Sequence, residues 1–279
     1  MSAPQPAFAF VKAEGLGNDF LIVDGRGAAL DALAARLQPL TRAICDRHRG
    51  VGADGLLLVG DATGPGADVT MRVINADGSR PQMCGNGLRC VALWLARSEG
   101  RDTWCVDTDA GPRRCRVIDS PDGADIDVDM GAVVHGEPVV LTPTGGAARS
   151  FARVSMGNPH AVAFVAEGED PEGLARGLGP LLERDPVFPE GTNVEFARIE
   201  RDAVTLWVWE RGCGITDACG TGACATAAAA VATGQLPAGQ PLVVTLPGGP
   251  LWITVPRDPG EPVRMRGPAR LVFTGRWPA

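Results

Sequence analysis

Residues 209–225 read Trp-Glu-Arg-Gly-Cys-Gly-Ile-Thr-Asp-Ala-Cys-Gly-Thr-Gly-Ala-Cys-Ala, and residues 83–90 echo them in part as Met-Cys-Gly-Asn-Gly-Leu-Arg-Cys. In each, a cysteine, Cys219 or Cys84, stands immediately before Gly-x-Gly and a run of helical character. The first N–H groups of a helix lack partners within it and carry the positive end of its dipole, so they bind anions and favour a thiolate over a thiol. A cysteine placed there can be more acidic than the free thiol at about 8.5. Glycines on either side of Asn86 and Thr221 leave the backbone amides open to a ligand. One such segment is most simply a tight turn over a buried thiol; two of them ask for a joint explanation.

The echo extends outward. Gly15-Leu-Gly-Asn-Asp19 precedes the first cysteine and Gly157-Asn-Pro-His160 the second; Asn18 stands 66 positions before Cys84, Asn158 61 before Cys219, and the cysteines are 135 apart. Matching order at nearly matching spacing predicts two similar α/β domains, each with an apolar helix wrapped by strands, facing one another across a cleft. The 279 residues, 45% of them hydrophobic, suffice for two cores.

Composition narrows the function. A net charge of −7 without a basic cluster argues against nucleic acid and anionic membrane surfaces, leaving a small charged metabolite. Met1–Phe10 has neither the positive start nor the apolar stretch of a secretory signal, and no apolar run approaches spanning length, so a soluble cytoplasmic protein is expected. Eight cysteines (45, 84, 90, 105, 115, 213, 219 and 224) are expected as free thiols in that setting. Metal binding is not expected, because no Cys-x-x-Cys or His-x-x-x-His pair occurs.

Along the chain, strands are predicted at Phe8–Lys12, Phe20–Asp24, Leu56–Val59, Val69–Ile74, Thr103–Asp107, Arg113–Ile118 and Asp125–Met130. In the second half they fall at Phe151–Ser155, Val194–Ile199, Ala203–Trp209, Leu242–Leu246, Leu251–Val255 and Leu271–Phe273. Helices are expected over Leu30–His48, broken near Pro39, over Gly85–Ser98, Leu174–Leu182, and from Cys219 to near Gly234. Arg47, His48 and Arg49 read as a solvated helix end, and Gly157–His160 and Pro186–Asn193 as loops.

Two thiols at two helix starts suggest a reaction. If both point into one cleft, their amides can hold a carboxylate while one sulfur removes the adjoining α-proton and the other supplies a proton from the opposite side. The carbon is inverted. Nothing in the sequence demands a pyridoxal cofactor, and the single lysine, Lys12, lies far along the chain from either motif.

Gly15-Leu-Gly-Asn-Asp-Phe20, Asn75-Ala-Asp-Gly78, Cys84–Cys90, Gly157–His160, Gly191-Thr-Asn193, Glu210-Arg-Gly and Ala218-Cys-Gly-Thr-Gly222 together resemble diaminopimelate epimerase, in register from about Phe10 to Ala225 with a weaker tail to Phe273. The resemblance implies conversion of LL-2,6-diaminopimelate to the meso form without a cofactor, in lysine and peptidoglycan biosynthesis. It makes Cys219 the acceptor of the proton in that direction and Cys84 the donor, with His160 and Glu210 supporting proton transfer. Gly85-Asn86 and Gly220-Thr221 match the α-carboxylate cradle; Asn18, Asn75, Asn158, Asn193, Glu210 and Arg211 match residues holding the substrate, chiefly its distal end. A homodimer is implied, with Phe273 near the matching contact.

The fold class expected is therefore α/β of the α+β type: two pseudo-symmetric domains, each a mostly antiparallel β-barrel-like sheet around a central helix. Residues 1–130, with 265–279 returning, form the first domain and 131–264 the second. Taken one at a time, the polar residues have plainer readings: Asn158 and Asn193 as turn caps, Glu210 and Arg211 as a surface pair, His160 as a core histidine. Two features depart from the pattern. Gly55 stands where some members carry a glutamine that contacts substrate, and Asp217, two residues before Cys219, would oppose a thiolate unless it faced away. Three alternatives stay open: a racemase of another amino acid such as histidine, a proline-racemase-like enzyme, for which histidine would be expected in place of Asn86, and a thiol redox or metal-binding protein.

Overall fold

A computed structural model describes residues 7–120, 123–142 and 147–278; the first six residues of the stretch weighed above as an export signal lie outside it. The chain divides into two compact units, residues 1–128 with 267–279, and residues 129–266.

Unit 1 contains β1 (Phe8–Gly15), β2 (Asn18–Asp24), α1 (Leu30–Leu37), α2 (Thr41–Cys45), β3 (Gly55–Asp61), β4 (Val69–Asn75), α3 (Gly85–Glu99), β5 (Thr103–Asp107), β6 (Arg113–Ser120) and β7 (Gly123–Asp129). Unit 2 contains β8 (Val134–Leu141), β9 (Arg149–Ser155), β10 (Pro159–Phe164), α4 (Pro171–Leu182), β11 (Asn193–Glu200), β12 (Ala203–Glu210), the short β13 (Gly214–Ile215), α5 (Gly220–Ala232), β14 (Pro241–Leu246) and β15 (Gly249–Thr254). The last strand, β16 (Arg264–Trp277), begins in unit 2 and ends in unit 1.

In unit 1 the strands run in sequence order from β1 to β7, β7 lies beside β16, and β16 pairs antiparallel with β1, so the sheet closes on itself. Closure removes the open edges a sheet otherwise exposes. In unit 2 the order is β8-β9-β10-β11-β12-β14-β15, continued by the first residues of β16. The pairing is mostly antiparallel, as expected, with four parallel pairs: β2–β3 and β4–β5 in one unit, β10–β11 and β12–β14 in the other. Parallel neighbours require a crossover, and helices supply it each time: α1 and α2, then α3, in one unit; α4, then α5, in the other. Both units thus alternate antiparallel and parallel pairs in one scheme, and the cysteine-headed helix always fills the second crossover.

Local chemistry explains these elements. Pro39 cannot donate a backbone hydrogen bond, so the helical stretch after Leu30 passes through a 3-10 turn at Gln38–Leu40 and ends at Cys45. Helix α3 stops where Gly100 turns left-handed at φ 69°, its N–H bonding Ala96 O at 2.9 Å. Helix α4 starts three residues before the predicted Leu174, because Asp170 accepts from the amides of Glu172 and Gly173 and Pro171 sits in the first turn. Gly179 lets α4 lie against β12: a Cβ there would come within 2.5 Å of Trp209 Cβ.

Helices α3 and α5 are buried nearly all round, α3 from Gly85 to Leu93 and α5 from Gly222 to Ala230. Alanine permits this in α5, since a small side chain lets strands approach from every side. Thr226 is the exception: its hydroxyl is fully buried with no hydrogen-bond partner among the described residues. Thr226→Val keeps the shape and removes the stranded polar group, so it should raise stability by about 1 kcal/mol, read as a higher midpoint in urea unfolding.

Candidate active site

In unit 1, Cys84 is the N-cap of α3 in extended conformation (φ −138°, ψ 112°), and its Sγ accepts the Gly87 amide at 3.4 Å. The glycine at 87 lets Leu57 pack closely, since a Cβ there would meet Leu57 Cδ2 at 2.8 Å. Asn86, buried in the first turn, donates to Asn18 Oδ1 at 3.0 Å and accepts from the fully buried Arg89 at 2.9 Å. Arg89 also donates to Pro268 O at 3.0 Å, which ties the cysteine helix to β16. Asn18 donates to Asp54 Oδ2 at 2.7 Å. Its amide orientation is therefore set from both sides.

Asp54 and Asp19 share Arg47, at 2.7 Å each, and Asp19 also pairs with Lys12. Arg47 is exposed, as expected, but lies beyond the helix, which stops at Cys45, and its guanidinium braces Asp19 and Asp54 beside the start of β2, where Asn18 stands. Burial alone would raise the Asp19 carboxyl, but hydrogen bonds from Arg47 and Lys12 outweigh it and hold it below the usual range. Asn75 ends β4, where its side chain donates to Ser79 Oγ at 3.0 Å. Gly55 is Asn75's cross-strand partner, and any Cβ on it would come within 2.5 Å of Ile74 O, so the backbone leaves no room for a side chain at this position.

Unit 2 repeats the arrangement with different partners. Cys219 is the N-cap of α5 (φ −119°, ψ 102°), its Sγ accepting the Gly222 amide at 3.4 Å with Thr221 Oγ1 at 3.7 Å. Asn158 Nδ2 donates to Thr221 Oγ1 at 3.4 Å, and Asn158 Oδ1 lies 3.1 Å from His160 Nε2. His160 Nδ1 is 2.6 Å from Glu195 Oε1. Pro159 and His160 belong to β10 rather than to a loop, and parallel pairing places His160 beside Asn193 on β11. Asn193 bridges Pro159 O and the Arg211 amide, each at 2.9 Å. Glu210 accepts from Thr216 and is hydrogen-bonded to Cys219. Arg211 Nη1 donates to Glu190 O at 2.9 Å, and the Gly212 amide to Glu183 Oε1 at 2.9 Å.

The expectation that the helix start makes Cys219 acidic is overturned. Burial drives its thiol well above the ordinary value, Glu210 and then Glu195 add to the rise, and the Gly222 and Thr221 hydrogen bonds recover only part. Asp217 is exposed and takes no part in that rise. Burial likewise raises Glu210, against hydrogen bonds from Thr216 and Cys219. In this state the thiol keeps its proton, and Glu210 is the hydrogen-bonded group positioned to exchange it.

Gly222 sets a constraint on the sulfur itself. A Cβ would lie 3.1 Å from both Cys219 Sγ and Glu195 Oε1. Gly222→Ala makes the sulfur or the Glu195 carboxyl give by a few tenths of an ångström, and since a full 1 Å misplacement is worth about 100-fold in rate, a loss of about tenfold is expected. Turnover should fall with a smaller change in KM, as steady-state kinetics would read.

Several contributors escape sequence reading. Glu195 is fully buried on an apolar strand, and the clue is its spacing: two residues after Asn193 puts it on the same face of β11. Arg89, three residues after Asn86, could have been read from helical spacing. Asp54, Glu183 and Thr216 had no local signal. No disulfide joins any of the eight cysteines, and Cys90 and Cys224 are fully buried within the two motif helices. Among the described residues no three His, Cys, Asp or Glu side chains form a metal-holding group, and no helix is long and apolar enough to cross a membrane.

Solved structures share this fold. A hydroxyproline epimerase from Agrobacterium vitis superimposes with a TM-score of 0.75 at 18% identity, over 97% of this chain and 91% of that one. A phenazine biosynthesis protein of the PhzF family from Bacillus anthracis does so at 0.70 and 14%, over 98% and 99%. At those identities the likeness defines a fold class, the two-unit α+β fold that proteins of both kinds adopt. Sequence is more specific. The family model for diaminopimelate epimerase matches residues 10–136 and 152–272. Diaminopimelate epimerases from Desulforudis audaxviator and Nostoc punctiforme are 47% and 41% identical, covering 96% and 97% of this chain and 98% and 99% of their own. The chain belongs to the diaminopimelate epimerase family.

Proposed function

We propose that the chain epimerises LL-2,6-diaminopimelate to the meso form through two thiols, Cys219 and Cys84, without a cofactor. The observation that carries this reading is the geometry made twice: an extended N-cap cysteine whose sulfur accepts the third amide of a buried helix. Two domains, residues 1–130 with 265–279 and residues 131–264, each bring one thiol and one helix start to the substrate. The first-turn amides at Gly85-Asn86 and Gly220-Thr221 bind the reacting α-carboxylate, where helix dipoles favour an anion. Asn18, Asn75, Asn158, Asn193, Glu210 and Arg211 recognise the rest, since a distal zwitterion needs donors and acceptors together.

In the LL-to-meso direction the Cys219 proton passes to Glu210, the thiolate takes the α-proton, and Cys84 delivers its own proton to the opposite face. The C–H bond that breaks and the one that forms lie on opposite sides, so the carbon inverts. His160 and Asn158 hold Thr221 and the neighbourhood of the sulfur in place. The protein acts in lysine and peptidoglycan biosynthesis, in the cytoplasm, as a homodimer using the exposed face of β16. There Phe273, 47% exposed, packs edge-on against Phe10 at 6.1 Å beside exposed Val272.

The test is epimerisation in heavy water with no added cofactor. Solvent deuterium should enter the α-position of the inverted product within a single turnover, because the returned proton comes from a different thiol. Product that keeps most of its original α-proton would rule out two bases, and faster racemisation of another amino acid than of diaminopimelate would rule out the substrate.

A further inference from the structure

The Glu195–His160 pair is more deeply buried than the mechanism above requires. Both side chains are fully inaccessible, and Glu195 Oε1 sits 2.6 Å from His160 Nδ1. The same oxygen and Cys219 Sγ each lie 3.1 Å from the point where a Gly222 Cβ would be, so the carboxyl borders the sulfur's own site. A bare carboxylate there would oppose a thiolate strongly, because two like charges in a dry setting repel.

The hydrogen-bond chain decides where the proton is. Asn158 Nδ2 donates to Thr221 Oγ1, which turns Asn158 Oδ1 toward His160 Nε2 at 3.1 Å. A carbonyl oxygen only accepts, so Nε2 carries hydrogen. Nδ1 then has two options. Either it is bare and accepts from a protonated Glu195, or it carries a second hydrogen and faces a carboxylate as imidazolium. Both contain the same protons and no net charge. The familiar alternative, a neutral ring donating from Nδ1 to a carboxylate and offering a bare Nε2, would put two lone pairs in contact at Asn158 in the orientation its bond to Thr221 gives it.

We propose that Glu195 is a positioning residue that shares one proton with His160, so that the pair stays uncharged and presents an Nε2–H to Asn158 while Cys219 exchanges its own proton. Burial raises the Glu195 carboxyl above its usual range, and His160 opposes that rise, as a shared proton requires. The other titratable groups bordering the pair are Glu210 on β12 and Cys219 at the head of α5, and burial raises both above their ordinary values. The chain Glu195–His160–Asn158–Thr221 therefore locks the hydroxyl beside the sulfur without adding charge. Its catalytic consequence rests on the two-thiol reading; the placement of the proton does not.

The experiment has two arms. The protein has only three histidines, so nitrogen-15 spectra of the resting protein, assigned with His48→Gln and His135→Gln, read the His160 ring directly. Hydrogen on Nε2 is expected in the wild type, and in Glu195→Gln a neutral ring with Nε2–H and bare Nδ1. A ring protonated on Nδ1 with bare Nε2 overturns the proposal whatever the activity. In turnover, Glu195→Ala should lose about 100-fold, the scale of a misplaced catalytic group, and Glu195→Gln, which mimics the protonated carboxyl, should recover to within about fivefold of wild type. Glutamine no better than alanine, or an alanine variant with full activity, overturns it as well. Should the alanine variant not fold, the spectra and the glutamine variant still decide.

Discussion

Replacing either Cys84 or Cys219 with serine should lower epimerisation by at least about 1,000-fold, or about 4 kcal/mol of barrier, while Cys90→Ala and Cys224→Ala keep most of the activity. The contrast follows from position along the same two helices. Cys84 and Cys219 are N-caps whose sulfurs face the first-turn amides, whereas Cys90 and Cys224 are fully buried further along each helix. Serine can cap a helix at least as well as cysteine, so folding survives and the loss isolates the proton chemistry. A hydroxyl is a far weaker acid than a thiol, and a site that already raises its thiol has no margin for it. Comparable losses at all four positions would mean that the effect is structural. The measurement is the initial rate of meso product formation, with the unfolding midpoint of each variant as control.

Glu210→Gln should produce an enzyme that melts higher and turns over at least about 100-fold slower. The carboxyl is buried beside Cys219, and its pKa is raised from 4.5 chiefly by burial. A raised acid binds its proton more tightly in the folded chain than in the unfolded one. Its contribution to stability is complete below the ordinary value and is lost as pH rises through the folded value. Glutamine is neutral at every pH and escapes that loss. The variant should therefore exceed the wild type in Tm at about pH 8, with the gap closing by about pH 4. Turnover moves the other way, because glutamine cannot accept the thiol proton. A variant as fast as wild type would remove Glu210 from the proton path, and a gap that widens toward acid would reverse the sign of its shift.

Much of the candidate site is legible in the chain, since its strongest signals are local. Cys-Gly-x-Gly before an apolar helix declares an N-cap, and two copies at nearly matching spacing declare a repeat. The misses have physical causes. Strand β8 was overlooked because Gly136 and Pro138 break its pattern, and a pairing irregularity falls between Gly136 and Val139. Strand β10 is missed altogether, its start masked by the turn chemistry of Asn158-Pro159, yet β9 and β11 supply its partners. Only Leu271–Phe273 of β16 was expected, although the strand runs from Arg264 to Trp277, because glycine, proline and arginine interrupt its apolar pattern. The acidity of Cys219 was misjudged for a different reason. A helix terminus can be read from neighbours in sequence, but the burial of the thiol and the carboxyl groups of Glu210 and Glu195 that add to its rise come from other strands.

The first unit is discontinuous in the chain: its opening strand β1 pairs with the end of β16, from Phe8 with Trp277 to Glu14 with Arg270. During synthesis that partner is the last strand to leave the ribosome. Until then Phe8, Phe10 and the rest of β1 lack one side of their sheet, and Arg89 lacks the Pro268 carbonyl that fixes the cysteine helix. The second unit has all but three residues of its strands in hand earlier. The nascent chain must therefore carry a half-finished first unit through most of translation, which makes that unit the natural client of a chaperone and makes a stop codon before β16 far more damaging than its distance from either thiol suggests.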